Sequence, residues 1–206
     1  MKDEDPVYME AKNLCRTFQE WSDASTALRA IGSIPSSTLL SKPGFEDLRN
    51  AWTAARFGQA VGMSQFRLVE NDPPDFEVRS AADTGKSFRH EAVEALESDR
   101  RRSSEYKSSI DRLRHSPIKD VADEFEVVRR SLSDTALKKA QKYISKGSLI
   151  DFGLVVYLNL PTWNFEEQLI QAFPGLFPLE SRCFLDVWVL FQGKAYLCSD
   201  QSQMGS

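Results

Sequence analysis

The sequence between residues 70 and 106 reads ENDPPDFEVRSAADTGKSFRHEAVEALESDRRRSSEY. It contains a proline turn leading into an acidic strand at 73–78, a second strand at 88–95 and a basic cluster at 99–106. Two acids on neighbouring strands, followed by three arginines at the start of a helix, form a combination that suits a metal ion and a phosphate group. This part of the chain therefore supplies both the predicted strands and the predicted site.

Three short strands are predicted, near residues 65–69, 75–79 and 88–95. The connections between them are too short to hold a helix, so we expect the strands to pair as an antiparallel meander. A helix is predicted before them from Phe45 to Val61, because apolar residues recur there at helical spacing and a glycine follows.

The chain after the meander alternates helices and strands. The apolar run at 149–158 is typical of a strand buried on both faces. The other predicted elements are helices at about 100–114, at 133–147 and at 164–173, and a hairpin of 184–190 with 195–198. The fold class predicted from this order is α/β, with a mixed β-sheet flanked by helices.

Breaks rich in glycine, proline and serine divide the chain into three parts. Residues 1–43 are predicted to be an N-terminal helical extension and linker that packs peripherally or mediates contacts with another chain. Residues 44–199 are predicted to form the α/β domain, and residues 200–206 a disordered tail.

Composition and charge describe an ordinary globular chain. Its 206 residues are enough for one well-buried domain, or for one domain plus a small extension. The formal net charge is −4. No apolar run approaches the roughly 20 residues that cross a bilayer, and the acidic start is unlike a signal peptide, so a cytoplasmic location is expected. Residues 100–119 hold seven basic and two acidic residues, and this local basic face could bind phosphate on an otherwise acidic chain.

The three cysteines argue against cysteine chemistry. Cys15, Cys183 and Cys198 form no CxxC pair and are odd in number, which fits a reducing compartment and offers no metal-ligand spacing. A catalytic cysteine also needs a histidine base, and the chain has only His90 and His115. Cys183 and Cys198 are expected to be small core residues.

Four motifs resemble one known superfamily. They are Phe-x-x-Leu-Arg-x-Ala-Trp-x-Ala-x-x-Phe at 45–57, Pro-Asp-Phe-Glu at 74–77, Glu-x-x-Glu-Ala at 91–95 and Arg-Arg-Arg-x-x-Glu-Tyr at 100–106. Their order and strand context are similar to the restriction-endonuclease-like or PD-(D/E)xK nucleases, and within them to a bacterial branch with a degenerate lysine position. The resemblance covers roughly residues 45–198.

The resemblance implies a restriction-endonuclease-like fold and a Mg²⁺-dependent hydrolase that cleaves DNA or RNA. Its two metal ligands fall on Asp75 and Glu91. The catalytic lysine of the superfamily stands two residues after the second acid, and that position is Val93 here. The implied partners are DNA or RNA, and a homodimer is a further expectation.

Three interpretations of the missing lysine stay open. In the first, another cation replaces it: one of Lys138, Lys139 and Lys142, or one of Arg100 to Arg102. In the second, Glu94 or Glu77 completes a lysine-free acidic site. In the third, the catalytic centre has decayed and the fold binds nucleic acid or a protein without catalysis.

The predicted site therefore has a catalytic and a binding part. The catalytic residues are Asp75, Glu91 and Glu94, and the residues that contact phosphate are Arg100, Arg101, Arg102 and Lys107. Each has a purely structural alternative.

Asp75 would be a turn residue that accepts a local hydrogen bond. Glu91 would pair with Arg89 or Lys86 on a half-exposed strand face, and the arginines would line a solvated helix. His90, on the strand face opposite Glu91, is expected to be a core or edge histidine.

Overall fold

A computed structural model describes residues 6–35, 39, 45–70, 73–96, 121–147, 150–159, 166–177 and 183–200. Within these residues seven strands form one mixed sheet in the order β1 to β7, and helices flank it. The predicted α/β class with a mixed sheet is confirmed. The chain divides into two compact units, which we call the first unit (Met1–Arg89 with Arg101–Asp111) and the second unit (His90–Arg100 with Arg112–Ser206).

The first unit contains three described helices and the first three strands. They are α1 (Pro6–Thr17), β1 (Ser22–Asp23), α2 (Ala24–Gly32), α3 (Glu46–Ala60), β2 (Gln65–Leu68) and β3 (Phe76–Arg79). Helix α3 corresponds to the predicted helix 45–61, and β2 and β3 to the first two predicted strands. β2 and β3 pair in antiparallel fashion, with Gln65 opposite Arg79 and Leu68 opposite Phe76, as the meander predicts.

Alternation along β2 and β3 separates an apolar face from a charged face. Phe66, Phe76 and Val78 are buried, and Phe76 packs edge-on against Phe57 of α3 with ring centroids 6.2 Å apart. The opposite face carries Gln65, Arg67, Glu77 and Arg79. The apolar face thus fixes which side of the hairpin α3 covers.

The N-terminal segment packs more closely than expected. Phe18 and Ile31 are buried, β1 pairs with β2, and the Phe18 carbonyl accepts a 2.6 Å hydrogen bond from the Leu68 N–H. The part from Phe18 to Ile34 therefore contributes to the core of the first unit, because α2 presents a buried apolar stripe, whereas α1 is mostly exposed. The predicted boundary at residues 43 and 44 lies outside the described residues and stays a prediction.

The second unit contains the rest of the sheet. Its elements are β4 (Phe88–Ala95, which begins in the first unit), α4 (Val121–Ile144), β5 (Gly153–Leu158), α5 (Glu166–Ala172), a short 3₁₀ helix (Phe173–Gly175), β6 (Asp186–Phe191) and β7 (Lys194–Asp200). β4 and β5 run parallel, as do β5 and β6, whereas β7 returns antiparallel to β6. As predicted, β5 is buried on both faces along most of its length.

Two element boundaries differ from the prediction. Helix α4 begins at Val121, well before the predicted start at Ser133, because its buried stripe already includes Val128 and Leu132. Strand β7 reaches Asp200, so the first residue of the predicted tail belongs to the sheet, and residues 201–206 lie outside the described residues.

The final hairpin turns at Gln192 and Gly193. Both residues have positive φ, 49° and 78°, which matches the right-handed twist of a two-residue hairpin. The predicted hairpin is confirmed, with the first strand beginning two residues later than predicted and the second extended to Lys194–Asp200.

Candidate functional site

Strand β4 presents different chemistry on its two faces. Because side chains alternate along a strand, Glu91, Val93 and Ala95 share one face, and His90 and Glu94 lie on the other. Val93 and Ala95 pack in the same apolar cluster as Val128 and Leu132 of α4. The first face is therefore the one covered by the long helix.

Glu91 is fully buried on that helix-covered face. Its side chain is 1% exposed, and its Oε1 atom contacts the Nζ atom of Lys139 from α4. Its other oxygen, Oε2, is buried and has no hydrogen-bond partner among the described residues. A buried carboxylate needs a charged or hydrogen-bonding partner, and here a lysine satisfies only one of its two oxygens.

The alternative in which Glu91 lies on a half-exposed face with Arg89 or Lys86 is wrong. Glu91 pairs with Lys139 instead, and Arg89 lies near Glu77, with 3.9 Å between Arg89 Nε and Glu77 Oε1. The reason is that β4 lies inside the sheet and α4 covers this face, so no solvent reaches Glu91.

Helix α4 places Lys139 at the edge of its own buried stripe. Ala136, Ala140 and Tyr143 are buried, whereas Lys138 is exposed. Lys139 lies three residues after Ala136 and four before Tyr143, so it is on the side of the helix that they share, and its side chain is 21% exposed. Of the three lysines considered on this helix, the structure brings Lys139 to the carboxylate.

Val93 occupies an apolar position. It is partly buried and packs against the hydrophobic core of the second unit. A lysine at 93 would place its stem in this cluster, whereas Lys139 approaches the same strand face from the helix. Position 93 therefore contributes an apolar side chain to the core, and the cation at Glu91 comes from α4.

Asp75 directly precedes β3 in the first unit. Its Oδ1 atom accepts a 3.1 Å hydrogen bond from Asn50 Nδ2 of α3, and its carbonyl accepts one from the Val69 N–H at 3.1 Å. The carboxylate is thus held by a helix side chain 25 residues earlier in the sequence. The shared metal site of Asp75 with Glu91 stays a prediction.

Glu94 and Glu77 have other partners. Glu94 lies on the face of β4 opposite Glu91, and its Oε1 atom accepts a 2.8 Å hydrogen bond from Asn159 Nδ2. Glu77 belongs to the first unit, where its Oε2 atom accepts two hydrogen bonds from Arg67, at 3.1 and 2.9 Å. The structure does not bring Glu94 to the face of Glu91, so the interpretation with Glu94 as a catalytic residue gains no support.

His90 forms a second buried polar pair in the second unit. Its Nε2 atom lies 3.2 Å from Asp186 Oδ1, and its side chain is 4% exposed. Gly153 lies between them in the sheet register, and a Cβ atom there would overlap Asp186 and come within 2.6 Å of the imidazole. The expected core histidine is thus found, and its partner Asp186 was not identified from the sequence.

Several predicted site residues cannot be placed. Arg100, Arg101, Arg102 and Lys107 lie outside the described residues, so their phosphate contacts stay a prediction. Among the residues that the structure describes, no group of three or more His, Cys, Asp or Glu side chains is arranged to hold a metal ion.

The cysteine thiols have raised pKa values. Burial raises the pKa of Cys198 to about 12, and burial together with the nearby Asp47 carboxylate raises the pKa of Cys15 to about 11. Burial also raises the pKa of Cys183. Since the thiolate is the reactive form, these cysteines are poor nucleophiles near neutral pH, in agreement with the sequence-based prediction.

Comparison of the chain with protein-family models, curated proteins and solved structures gave no match. In the described part of the chain, no helix has both the length and the apolar character required to span a membrane.

Proposed function

We propose that this protein is a metal-dependent nuclease of the restriction-endonuclease-like class in which Lys139 replaces the lysine that is absent at Val93. The contact between Lys139 and the buried carboxylate of Glu91 carries this proposal. It favours the interpretation in which a cation from the later helix takes over the missing position.

The order of elements supports the same class. Helix α3, strands β2, β3 and β4, helix α4 and strand β5 follow each other in the order that the resemblance implies, and β5 lies parallel to β4. A Pro-Asp pair precedes β3, and the second acid lies inside β4. Fold alone does not define an activity, so the proposal depends on the site.

Glu91 has the chemistry of a metal ligand. Its Oε2 atom is buried without a hydrogen-bond partner among the described residues, and an anionic oxygen of this kind suits Mg²⁺. When bound, such an ion polarises a phosphoryl oxygen and lowers the pKa of a coordinated water. The resemblance implies Asp75 as the second ligand, and Asn50 donates a hydrogen bond to that carboxylate.

Lys139 would perform two tasks. Its ammonium group holds the Glu91 carboxylate in one orientation through Oε1, which leaves Oε2 for another ligand. It also places a positive charge where a phosphodiester would gain negative charge during cleavage, and a preorganised charge of this kind lowers the barrier in a site that excludes water.

The experiment is a cleavage assay on single- and double-stranded DNA and RNA with Mg²⁺ or Mn²⁺. We expect Glu91→Gln and Lys139→Met to reduce the cleavage rate by about 100-fold or more, the effect of removing one electrostatic group from a preorganised site. Lys138→Met is the matched control, because Lys138 is the exposed neighbour on the same helix and should keep the wild-type rate.

Thermal unfolding of each variant separates lost chemistry from lost folding. A Lys139→Met protein that is folded and cleaves at the wild-type rate would refute the role of Lys139. Wild-type protein that binds nucleic acid without cleaving any of the four substrates would favour the alternative function, a non-catalytic binding member of the same fold.

A further inference from the structure

Two arginines on the charged face of β2 and β3 stack on one tryptophan in the first unit. The guanidinium carbon of Arg79 lies 3.9 Å from the ring centroid of Trp21, and that of Arg67 lies 4.9 Å from it. Both distances are within the range of a cation–π interaction. Trp21 precedes β1 in the chain, so the N-terminal segment contributes directly to this surface.

The surrounding residues hold both arginines in place. Arg67 donates from Nε and Nη2 to Glu77 Oε2, and Arg79 donates from Nε to Gln65 Oε1 at 2.9 Å. In the antiparallel register Arg67 is opposite Glu77 and Gln65 is opposite Arg79, so each arginine is anchored to its cross-strand neighbour. The stacking and the hydrogen bonds together reduce the conformational freedom of the guanidinium groups.

Donor groups of both arginines remain available. Within the described residues, Arg67 Nη1 and both Nη atoms of Arg79 make no hydrogen bond. Arg67 is 41% exposed, and Arg79 is half-buried. Solvent, or a ligand, can therefore reach these groups.

This surface is positively charged. Arg67 and Arg89 lie within 3.9 Å of the Glu77 carboxylate, whose side chain is 11% exposed, whereas Arg79 donates to the neutral side chain of Gln65. The carboxylate is occupied by Arg67 and offers little surface to a partner. An anionic partner therefore meets an excess of positive charge.

We propose that this surface, formed by Trp21, Arg67, Arg79 and Arg89, binds the phosphate backbone of a nucleic acid. The choice of nucleic acid over an acidic peptide rests on the proposed function, and the planar guanidinium fork matches phosphate geometry. Arginines preorganised on an aromatic ring, with outward donors, are suited to contacts that do not depend on base sequence.

Helix α3 supplies a matched control. Arg56 lies 5.6 Å from the ring centroid of Trp52, so it is also an arginine over a tryptophan. Its side chain is exposed, and it belongs to a helix and not to the charged face of β2 and β3. If any stacked arginine sufficed, Arg56 and Arg79 would behave alike.

The test measures binding of fluorescent single- and double-stranded oligonucleotides by anisotropy, in EDTA and over a salt series. Arg79→Gln should weaken binding to all sequences and lower the slope of log K against log salt by about 0.7–0.9, which corresponds to one phosphate contact. Trp21→Leu should weaken binding in the same way, Arg79→Lys should weaken it less, and Arg56→Gln should bind as the wild type does.

The outcomes distinguish this surface from the proposed catalytic site. Binding is measured in EDTA, where metal-dependent cleavage cannot occur, so the binding result can be interpreted whether or not the protein cleaves nucleic acid. Unchanged affinity and salt slope for folded Arg79→Gln would overturn the proposal. Arg79-dependent binding of a polyglutamate peptide, with no binding of oligonucleotides, would also overturn it in favour of an acidic protein partner.

Discussion

Glu77 in the first unit and Glu91 in the second are both buried strand glutamates, but Glu77 lies on a charged strand face and Glu91 on an apolar one. Glu77 is 11% exposed at its side chain and accepts two hydrogen bonds from Arg67, with Arg89 also close. Glu91 is 1% exposed, contacts one lysine, and has an oxygen without a hydrogen-bond partner among the described residues.

The difference lies in how completely each carboxylate is satisfied. A guanidinium fork presents two parallel donors and matches a carboxylate well, so Glu77 has the contacts of a structural ion pair. A lysine is a single compact charge, and it leaves the second oxygen of Glu91 buried without a hydrogen-bond donor among the described residues. Asp23 extends the comparison, because it is an exposed carboxylate that caps α2.

The largest expected effect is on Glu91. Lys139→Met should lower the free energy of unfolding by about 3 kcal/mol, because it leaves an uncompensated charge in the interior. Urea unfolding of this variant should be compared with that of Lys138→Met, which should stay within about 0.5 kcal/mol of the wild type.

A double variant sharpens this result. Glu91→Leu combined with Lys139→Met should recover most of the lost stability, since two apolar side chains replace a buried ion pair at little cost. If Lys139→Met alone is as stable as the wild type, the contact between Lys139 and Glu91 does not stabilise the fold and the comparison with Glu77 fails.

A smaller effect is expected at Glu77. Arg67→Met should destabilise the protein by about 1–2 kcal/mol, the range for leaving a mostly buried polar group with fewer partners. Arg89 remains within 3.9 Å of Glu77 and the site is partly open to solvent, so the loss should stay below that of Lys139→Met. If urea unfolding shows that Arg67→Met loses as much stability as Lys139→Met or more, the Glu77 ion pair is not the weaker of the two.

The smallest effect concerns Asp23. Its carboxylate accepts a 2.7 Å hydrogen bond from the Thr26 N–H at the start of α2. This hydrogen bond lowers the pKa of Asp23 below its usual value. Asp23→Ala should lower the free energy of unfolding by about 1 kcal/mol at neutral pH, the typical contribution of an N-cap.

The pH dependence follows from the lowered pKa. The cap stabilises the folded state fully above the pKa of an unfolded aspartate, about 3.9, and the stabilisation is lost as the pH falls through the lower folded value. The difference between wild type and Asp23→Ala should therefore shrink when unfolding is measured below about pH 4. A difference that stays constant with falling pH would mean that the charge of Asp23 does not contribute.

Much of the fold follows from local pattern. The strands 65–68, 76–79 and 88–95 were predicted almost at their observed bounds, because alternation and short connections are local signals. The start of α4 was predicted too late, since Ser133 and Asp134 resemble a cap while the apolar stripe in fact continues towards the N-terminus. Residues that resemble a helix N-cap are therefore weaker evidence for where a helix begins than a buried apolar stripe that continues before them.

The candidate site was predicted only in part. Glu91 and the apolar position of Val93 could be recognised from strand alternation, and Lys139 was one of several candidate cations. The choice among Lys138, Lys139 and Lys142 depends on which side of α4 packs against the sheet, and helical spacing alone leaves several registers open. Asp186 and Trp21 gave no signal, because their partners are far away in the sequence.

The sequence by itself determined which residues share a face of each strand, since the period of two is a property of the extended backbone. It thereby set Glu91 and Val93 on one side of β4 and His90 on the other. The tertiary structure alone decided the partners: Lys139 reaches Glu91 across 48 residues, and Trp21 reaches Arg67 and Arg79 from a different segment. Such pairs form when packed elements bring distant side chains together, and no local preference of the backbone specifies them.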